Sequence, residues 1–314
     1  MAGWAGRAWG RMLLDLARER PTTSRNPVKP CLCAVLASKK MWATHIRYLN
    51  DSKEFQYALE TLQSAFEAEL SESIGTFLLR DFFAKLFANA PWPNIFVLSF
   101  SAAGDQLSQW RAYSGDGPGL SLGFDLLRLG ELLRDKGLKL EPCVYEAEAQ
   151  KRLFQPLAKR VVAALPLPAD IPDDWSSMSA VQKFVFEHEC YIKAIQQLNG
   201  DASRELMGDV MLAVADFNAL VKHPAFAEEQ EWRAVLAADL EGTTLQFRPG
   251  RSALLPYVSV PVISNDGKSP LVEIVVGPCP QPDLTCEALK LLVGQDPAYK
   301  DAKVRLSETP YRYW

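Results

Sequence analysis

The stretch "FAEEQEWRAVL", residues 226–236, sets Glu228, Glu229 and Glu231 around Gln230 at the entrance to an apolar run. A carboxylate fixed at the mouth of a buried strand can grip a ribose hydroxyl and stabilise the positive charge that develops as a glycosidic bond breaks. A charge-assisted hydrogen bond contributes about 1.5–3 kcal/mol, so losing one slows turnover roughly ten- to a hundredfold. The same residues also fit a solvated acidic turn in which Glu231 pairs with Arg233 on one strand face. A second cluster is "SQWRAYSGDG". Trp110 and Tyr113 offer flat surfaces to a ring, Ser108 and Gln109 can bond an amide or a ribose hydroxyl, and the planar fork of Arg111 suits phosphate. The structural alternative buries Trp110 in the core and pairs Arg111 with Asp105 or Asp116.

Other chemically capable residues are sparser. In "WATHIRYLND", His45 is the best placed of 3 histidines, but no serine or cysteine nucleophile can be tied to it, which argues against a triad. Arg47, Tyr48, Asn50 and Asp51 can hold phosphate or ribose, although turn and cap roles account for Asn50 and Asp51. "HEC" at 188–190 lacks a second histidine at helical spacing, so no metal site is expected. "GDGPG" lacks the spacing and the following helix of a dinucleotide fingerprint. Tyr311 and Arg312 either close over a pocket or tie the last strand into the sheet. Arg248, Arg251, Lys222 and Arg233 form either a basic strip or ordinary solvated charges.

The elements that must position these residues can be read from periodicity. Phe55, Leu59, Leu62, Phe66 and Leu70 recur at helical spacing behind the capping candidates Asn50, Asp51 and Ser52. A further helical run reaches "LFAN" and stops at "APWP". "NIFVLSFS" and "GLSLGFD" read as strands joined by a long loop that is too rich in hydrogen-bonding side chains to be slack. "SAVQKFVFEHECYIKAIQQLNG" and "SRELMGDVMLAVADFNALVKHP" are helical. The strands "EWRAVLAA", "TTLQFRP", "LLPYVSV" and "LVEIVVGP" follow, then a helix through "LTCEALKLLVG" and a strand near "KVRLSET". This order predicts an α+β protein, with a single mixed sheet as core and an inserted helical layer at about 147–222. Residues 1–30, rich in Gly, Ala, Arg and Trp and ending in "RPTTSRNPVKP", are expected to be a poorly ordered segment and linker. Residues 31–314 are expected to form a single domain.

The totals bound the function. The chain has 314 residues, 48% hydrophobic and 23% charged, which is ample for a core. A net charge of -4 gives no global field toward nucleic acid or an anionic membrane. No run of eighteen apolar residues predicts a membrane span, and no secretory leader is recognisable. The 6 scattered cysteines match neither zinc spacing nor a disulfide framework, and they point to reduced thiols in the cytoplasm.

Several separated motifs carry a family resemblance. "KKMWATHIRYLNDSKEF", "VLSFSAAGDQLSQWRAYSGDGPGLSLGFD", "FAEEQEWRAVL", "LLPYVSV", "VEIVVGP" and "SETPYR" resemble, in this order, the bacterial family known as domain of unknown function 2971, from about Ser38 to Arg312. Relatives begin with a His-Tyr element, whereas "SRNPVKP" places Arg25 and Asn26 there. The order of a His-Tyr strand, a serine and aromatic segment and a Glu-x-Glu is also similar to the ADP-ribosyltransferase superfamily. That resemblance implies NAD as substrate, Glu231 as the catalytic carboxylate and Glu229 as the residue that orients an unknown macromolecular acceptor. Ser108, Gln109, Trp110, Arg111, Tyr113, His45 and Arg47 are the implied nucleotide-binding residues. Transfer of ADP-ribose or hydrolysis of NAD, in bacterial defence or toxin biology, is one expectation. A non-catalytic nucleotide-sensing or interaction domain is the other.

Overall fold

The computed structural model describes residues 9–12, 32–49, 54–70, 94–113, 119–164, 172–197, 217, 219–239, 241–250 and 253–312. The fold is α+β, as the element order predicts. The chain divides into two compact units, one of residues 1–49, 94–143 and 225–314, the other of residues 50–93 and 144–224.

The first unit holds the strands. β1 (Trp9–Met12), β2 (Lys40–His45), β3 (Ile95–Ser101), β4 (Leu120–Asp125), β5 (Lys139–Pro142), β6 (Glu231–Ala237), β7 (Gln246–Pro249), β8 (Leu254–Pro261), β9 (Leu271–Val276) and β10 (Lys303–Leu306) form a 10-stranded sheet. Its main path runs β10-β9-β4-β1-β3-β2-β8-β7. β6 pairs with β3 along its whole length, from Ile95 opposite Ala237 to Ser101 opposite Glu231, and β5 pairs with β6. β2 and β1 share the other edge of β3, β2 at Phe96 and Val97 and β1 at Ser101. The β9–β10 pair is parallel and the other pairs are antiparallel.

Alternation along the strands separates two faces. One is apolar: Met41, Ala43, Phe96, Leu98, Phe100, Leu122, Phe124, Ala234, Val260, Ile274 and Val276 are all buried there. The helices Leu32–Ser38, Leu126–Arg134 and Pro282–Gln295 cover it with Val35 and Leu36, with Leu129, Leu132 and Leu133, and with Cys286, Leu289 and Val293. Asp125 caps the second of these helices by accepting the Arg128 amide at 3.0 Å. Tyr299, buried in the same core, donates its hydroxyl to the Leu36 carbonyl at 3.0 Å. The other face carries Thr44, Ser99, Ser101, Glu231 and Arg233.

The second unit is helical. Glu54–Leu70 buries Ala58, Leu62, Ala65 and Phe66 and packs against Ala147–Ala164, and Ala180–Gln197 follows. Gln150, fully buried, ties this unit together. Its amide donates to the carbonyls of Val144 and Lys222 at 2.7 and 2.8 Å, and its oxygen accepts the Tyr57 hydroxyl at 2.9 Å.

Two features depart from the sequence reading. "LSQWRAY", expected inside a loop, is the helix Leu107–Tyr113, because folding that way buries Gln109 and Trp110 on one side and leaves Ser108 and Arg111 outside. β1, β2 and β5 lacked a sequence signal, being short or charged along one side. Apart from β1, residues 1–31 lie outside the described residues, as do the run ending in "LFAN" and most of the helix expected after Ser203. No helix among the described residues is long and apolar enough to cross a membrane.

Candidate functional site

β3 and β6 end together at a polar elbow. The 3-10 turn Pro224–Glu229 leads into β6 through Gln230, whose φ of 44° lies in the left-handed region that non-glycine residues rarely adopt. Such backbone persists where the surroundings over-determine it. Here the Gln230 carbonyl accepts the Ala102 amide at 3.0 Å, and the Ser101 hydroxyl donates to the Glu229 carbonyl at 2.8 Å. Gln109, 4% exposed, reaches from the Leu107–Tyr113 helix to donate to Ser101 Oγ at 2.8 Å and to the Glu229 carbonyl at 3.5 Å. Its carboxamide oxygen is buried without a hydrogen-bond partner. Ser108, on the exposed side, donates to a Glu228 carboxylate oxygen at 2.8 Å. The aromatic segment and the acidic strand entrance therefore meet through side chains.

Glu231 does not face solvent. It is 6% exposed and lies directly opposite Ser101, while Arg233, 2% exposed, grips both its carboxylate oxygens through Nε at 2.8 Å and Nη2 at 3.1 Å. Residues two apart on a strand share a face, which gives the pair its geometry. The Glu231 carbonyl accepts the Cys143 amide at 2.8 Å, so backbone bonds hold this residue from the β5 side as well. Glu229 is half-buried and Glu228 is exposed.

Trp110 is 1% exposed and packs on Val275. Gly277 makes room for it: a Cβ there would stand 2.7 Å from two ring carbons of the indole. The indole N–H donates to Asp105 at 2.8 Å. Asp105 also accepts from Arg305 at 3.2 Å, from the Glu308 amide at 3.0 Å, and from the hydroxyls of Ser307 and Thr309. Burial pushes its carboxyl up, but the bonds from Ser307, Glu308, Trp110 and Arg305 together outweigh that and hold it below the usual carboxylate range. Asp105 thus takes Arg305 as its cation, while Arg111 lies over the Tyr311 ring at 5.4 Å and Tyr311 packs against Trp110. The side chain of Tyr113 lies outside the described residues.

His45 and Arg47 sit elsewhere on the first unit. His45 pairs with Phe96, five residues along β3 from Ser101, or about 16 Å at the usual strand rise. It is buried edge-on against Phe96 and Tyr48, and its Nδ1 accepts the Arg47 amide at 3.2 Å. Burial and then the Arg47 charge lower its pKa, which favours the neutral ring. Arg47 is exposed. Ser101 and Asp105 were not marked as site residues by sequence. A serine at a strand end is unremarkable there, and apart from Trp110 these partners of Asp105 lie some 200 residues away.

The segments joined at the elbow coincide with a family match. Residues 109–234 match the family described as Protein of unknown function (DUF2971). The DUF2971 match opens at Gln109 and closes inside β6, so it brackets Trp110, Arg111, Tyr113, Glu229 and Glu231, with Ser108 just outside and His45 and Arg47 well before it. No curated protein and no solved structure matches the chain.

Proposed function

We propose that the elbow is the reactive end of an NAD site and that the chain transfers ADP-ribose from NAD to a macromolecular acceptor or to water. One observation supports this reading above the rest: Gln109 and the Glu229 carbonyl, 120 residues apart in sequence, are hydrogen-bonded across Ser101 beside Glu231. In this reading Glu231 is the anion beneath the ribose, held in one rotamer by Arg233, and the half-buried Glu229 orients the acceptor. Ser108 and Gln109 bond the ligand's hydroxyl or amide. Trp110 anchors the helix that carries them, and Arg111, Tyr113 and Arg47 meet more distant parts of the nucleotide, whereas His45, opposite Phe96 and buried against it on the apolar face, stays out of the site. An ADP-ribosyltransferase-like fold, membership of the bacterial DUF2971 family from Ser38 to Arg312, a cytoplasmic location and a role in phage defence complete the proposal. Purified protein incubated with NAD is expected to release nicotinamide, and Glu231→Gln to abolish the release. Equal release by the variant rejects the role given to Glu231.

A second reading is favoured by the same ion pair. A carboxylate with both oxygens on a buried guanidinium has less to offer a ribose hydroxyl, which suits a non-catalytic nucleotide-sensing or interaction domain. That reading predicts that NAD raises the unfolding temperature, since a ligand bound only by the native state stabilises it, with no nicotinamide released.

A further inference from the structure

The polar face of the sheet carries a second cluster, away from the elbow. Thr44 of β2 stands opposite Val97 of β3 and Tyr257 of β8, and Val97 stands opposite Val235 of β6. Alternation then puts Trp42, Thr44 and Tyr257 on the same face as Glu231 and Arg233. The Trp42 and Tyr257 rings meet at 5.0 Å, and the Arg248 guanidinium lies over the Trp42 ring at 5.4 Å, donating to Thr44 Oγ1 at 3.4 Å. Unlike Trp110, these three side chains are half-buried and belong to neither apolar cluster.

We propose that Trp42, Tyr257 and Arg248 form the subsite for the aromatic base and adjoining phosphate of a nucleotide, an inference that rests on the nucleotide reading above and adds its other end. Flat rings and a stacked guanidinium take a base irrespective of its hydrogen-bonding edge, and the guanidinium N–H groups suit phosphate oxygens. Arg248 stands opposite Leu255, two residues beyond Tyr257 and level with the end of β2. The exposed Arg47 follows that strand end by two residues. From the row of Thr44 to the row of Glu231 is four residues along the strands, about 13 Å at the usual rise. A nicotinamide riboside held at the elbow does not cover that separation. An extended dinucleotide does.

Calorimetric titration of the full chain with AMP and with ribose 5-phosphate tests the subsite. AMP is expected to bind saturably, and ribose 5-phosphate, lacking the base, at least about tenfold more weakly. Trp42→Ala and Arg248→Ala are each expected to weaken AMP about tenfold or more, and Trp42→Phe to restore most of the loss. Should Trp42→Ala fail to fold, Arg248→Ala and Trp42→Phe decide. No AMP binding by the wild type, equal binding of the two ligands, or unchanged AMP affinity in Arg248→Ala overturns the proposal. AMP binding that depends on Trp42 and Arg248, in a protein that releases no nicotinamide, removes the catalytic reading and leaves this subsite standing.

Discussion

Two ion-paired acids of the first unit, Asp105 half-buried and Glu231 buried, have opposite designs. Asp105 collects donors from Trp110 in the helix after β3, from Arg305 in β10 and from Ser307, Glu308 and Thr309 in the C-terminal segment. Glu231 is gripped at both oxygens by Arg233, its neighbour on the same strand. The first joins pieces of chain that are distant in sequence, which is what a structural acid does. The second holds a charge in one orientation at a strained elbow, which is what a site needs. Both acids are at least half-buried and ion-paired, so the source of these partners is the informative difference.

Removing the cation from Glu231 should separate the two acids most clearly. Arg233→Ala leaves a buried carboxylate without its guanidinium and is expected to cost about 3–5 kcal/mol in denaturant unfolding. Adding Glu231→Gln to that variant should recover much of the loss, since the buried charge disappears. A loss below 1 kcal/mol would mean that the pair is not buried in solution.

Asp105 is expected to show its role in acid. Its folded pKa lies below the ordinary carboxylate value, so its contribution to stability is fully present above pH 4 and is lost as pH falls through the folded pKa. Asp105→Asn should lower stability at pH 7 by about 2 kcal/mol, from the weakening of charge-assisted bonds, and should flatten the decline below pH 4. An unchanged acid limb in the variant would remove Asp105 as its cause.

Tyr299 supplies a neutral contrast and the smallest effect. Burial pushes its hydroxyl up to about 12, with the Asp296 charge acting in the same direction. Its contribution is therefore complete below pH 10 and is lost as pH rises from there toward 12. Tyr299→Phe should cost about 1 kcal/mol at neutral pH through the lost bond to Leu36 and should blunt alkaline unfolding. An identical alkaline transition in the variant would contradict this.

Much of the fold was legible because its signals are local. β3, β4, β6, β8 and β9 are apolar runs bounded by turn formers, and the helices Glu54–Leu70 and Pro282–Gln295 show helical spacing of apolar residues. β2 was not legible: along "KMWATH" the polar Thr44 and His45 are buried together with Met41 and Ala43, so its pattern is not simply inside and outside. The Leu107–Tyr113 helix was hidden for a related reason, since it is stabilised by what Gln109 and Trp110 bury in tertiary contacts rather than by helical periodicity. At the elbow, the Glu231–Arg233 pairing was visible at a separation of two residues. The bonds of Gln109 to Ser101 and of Asp105 to Ser307 join segments that only the folded sheet brings together.

If the Leu107–Tyr113 helix and the Glu229–Glu231 elbow make one nucleotide site, one ligand must protect both. Amide hydrogen exchange with and without NAD tests it most directly. Peptides covering 106–113 and 227–233 are expected to slow together on addition of NAD, while the Ala180–Gln197 helix is unchanged. Protection of neither segment, or of one without the other, would contradict it.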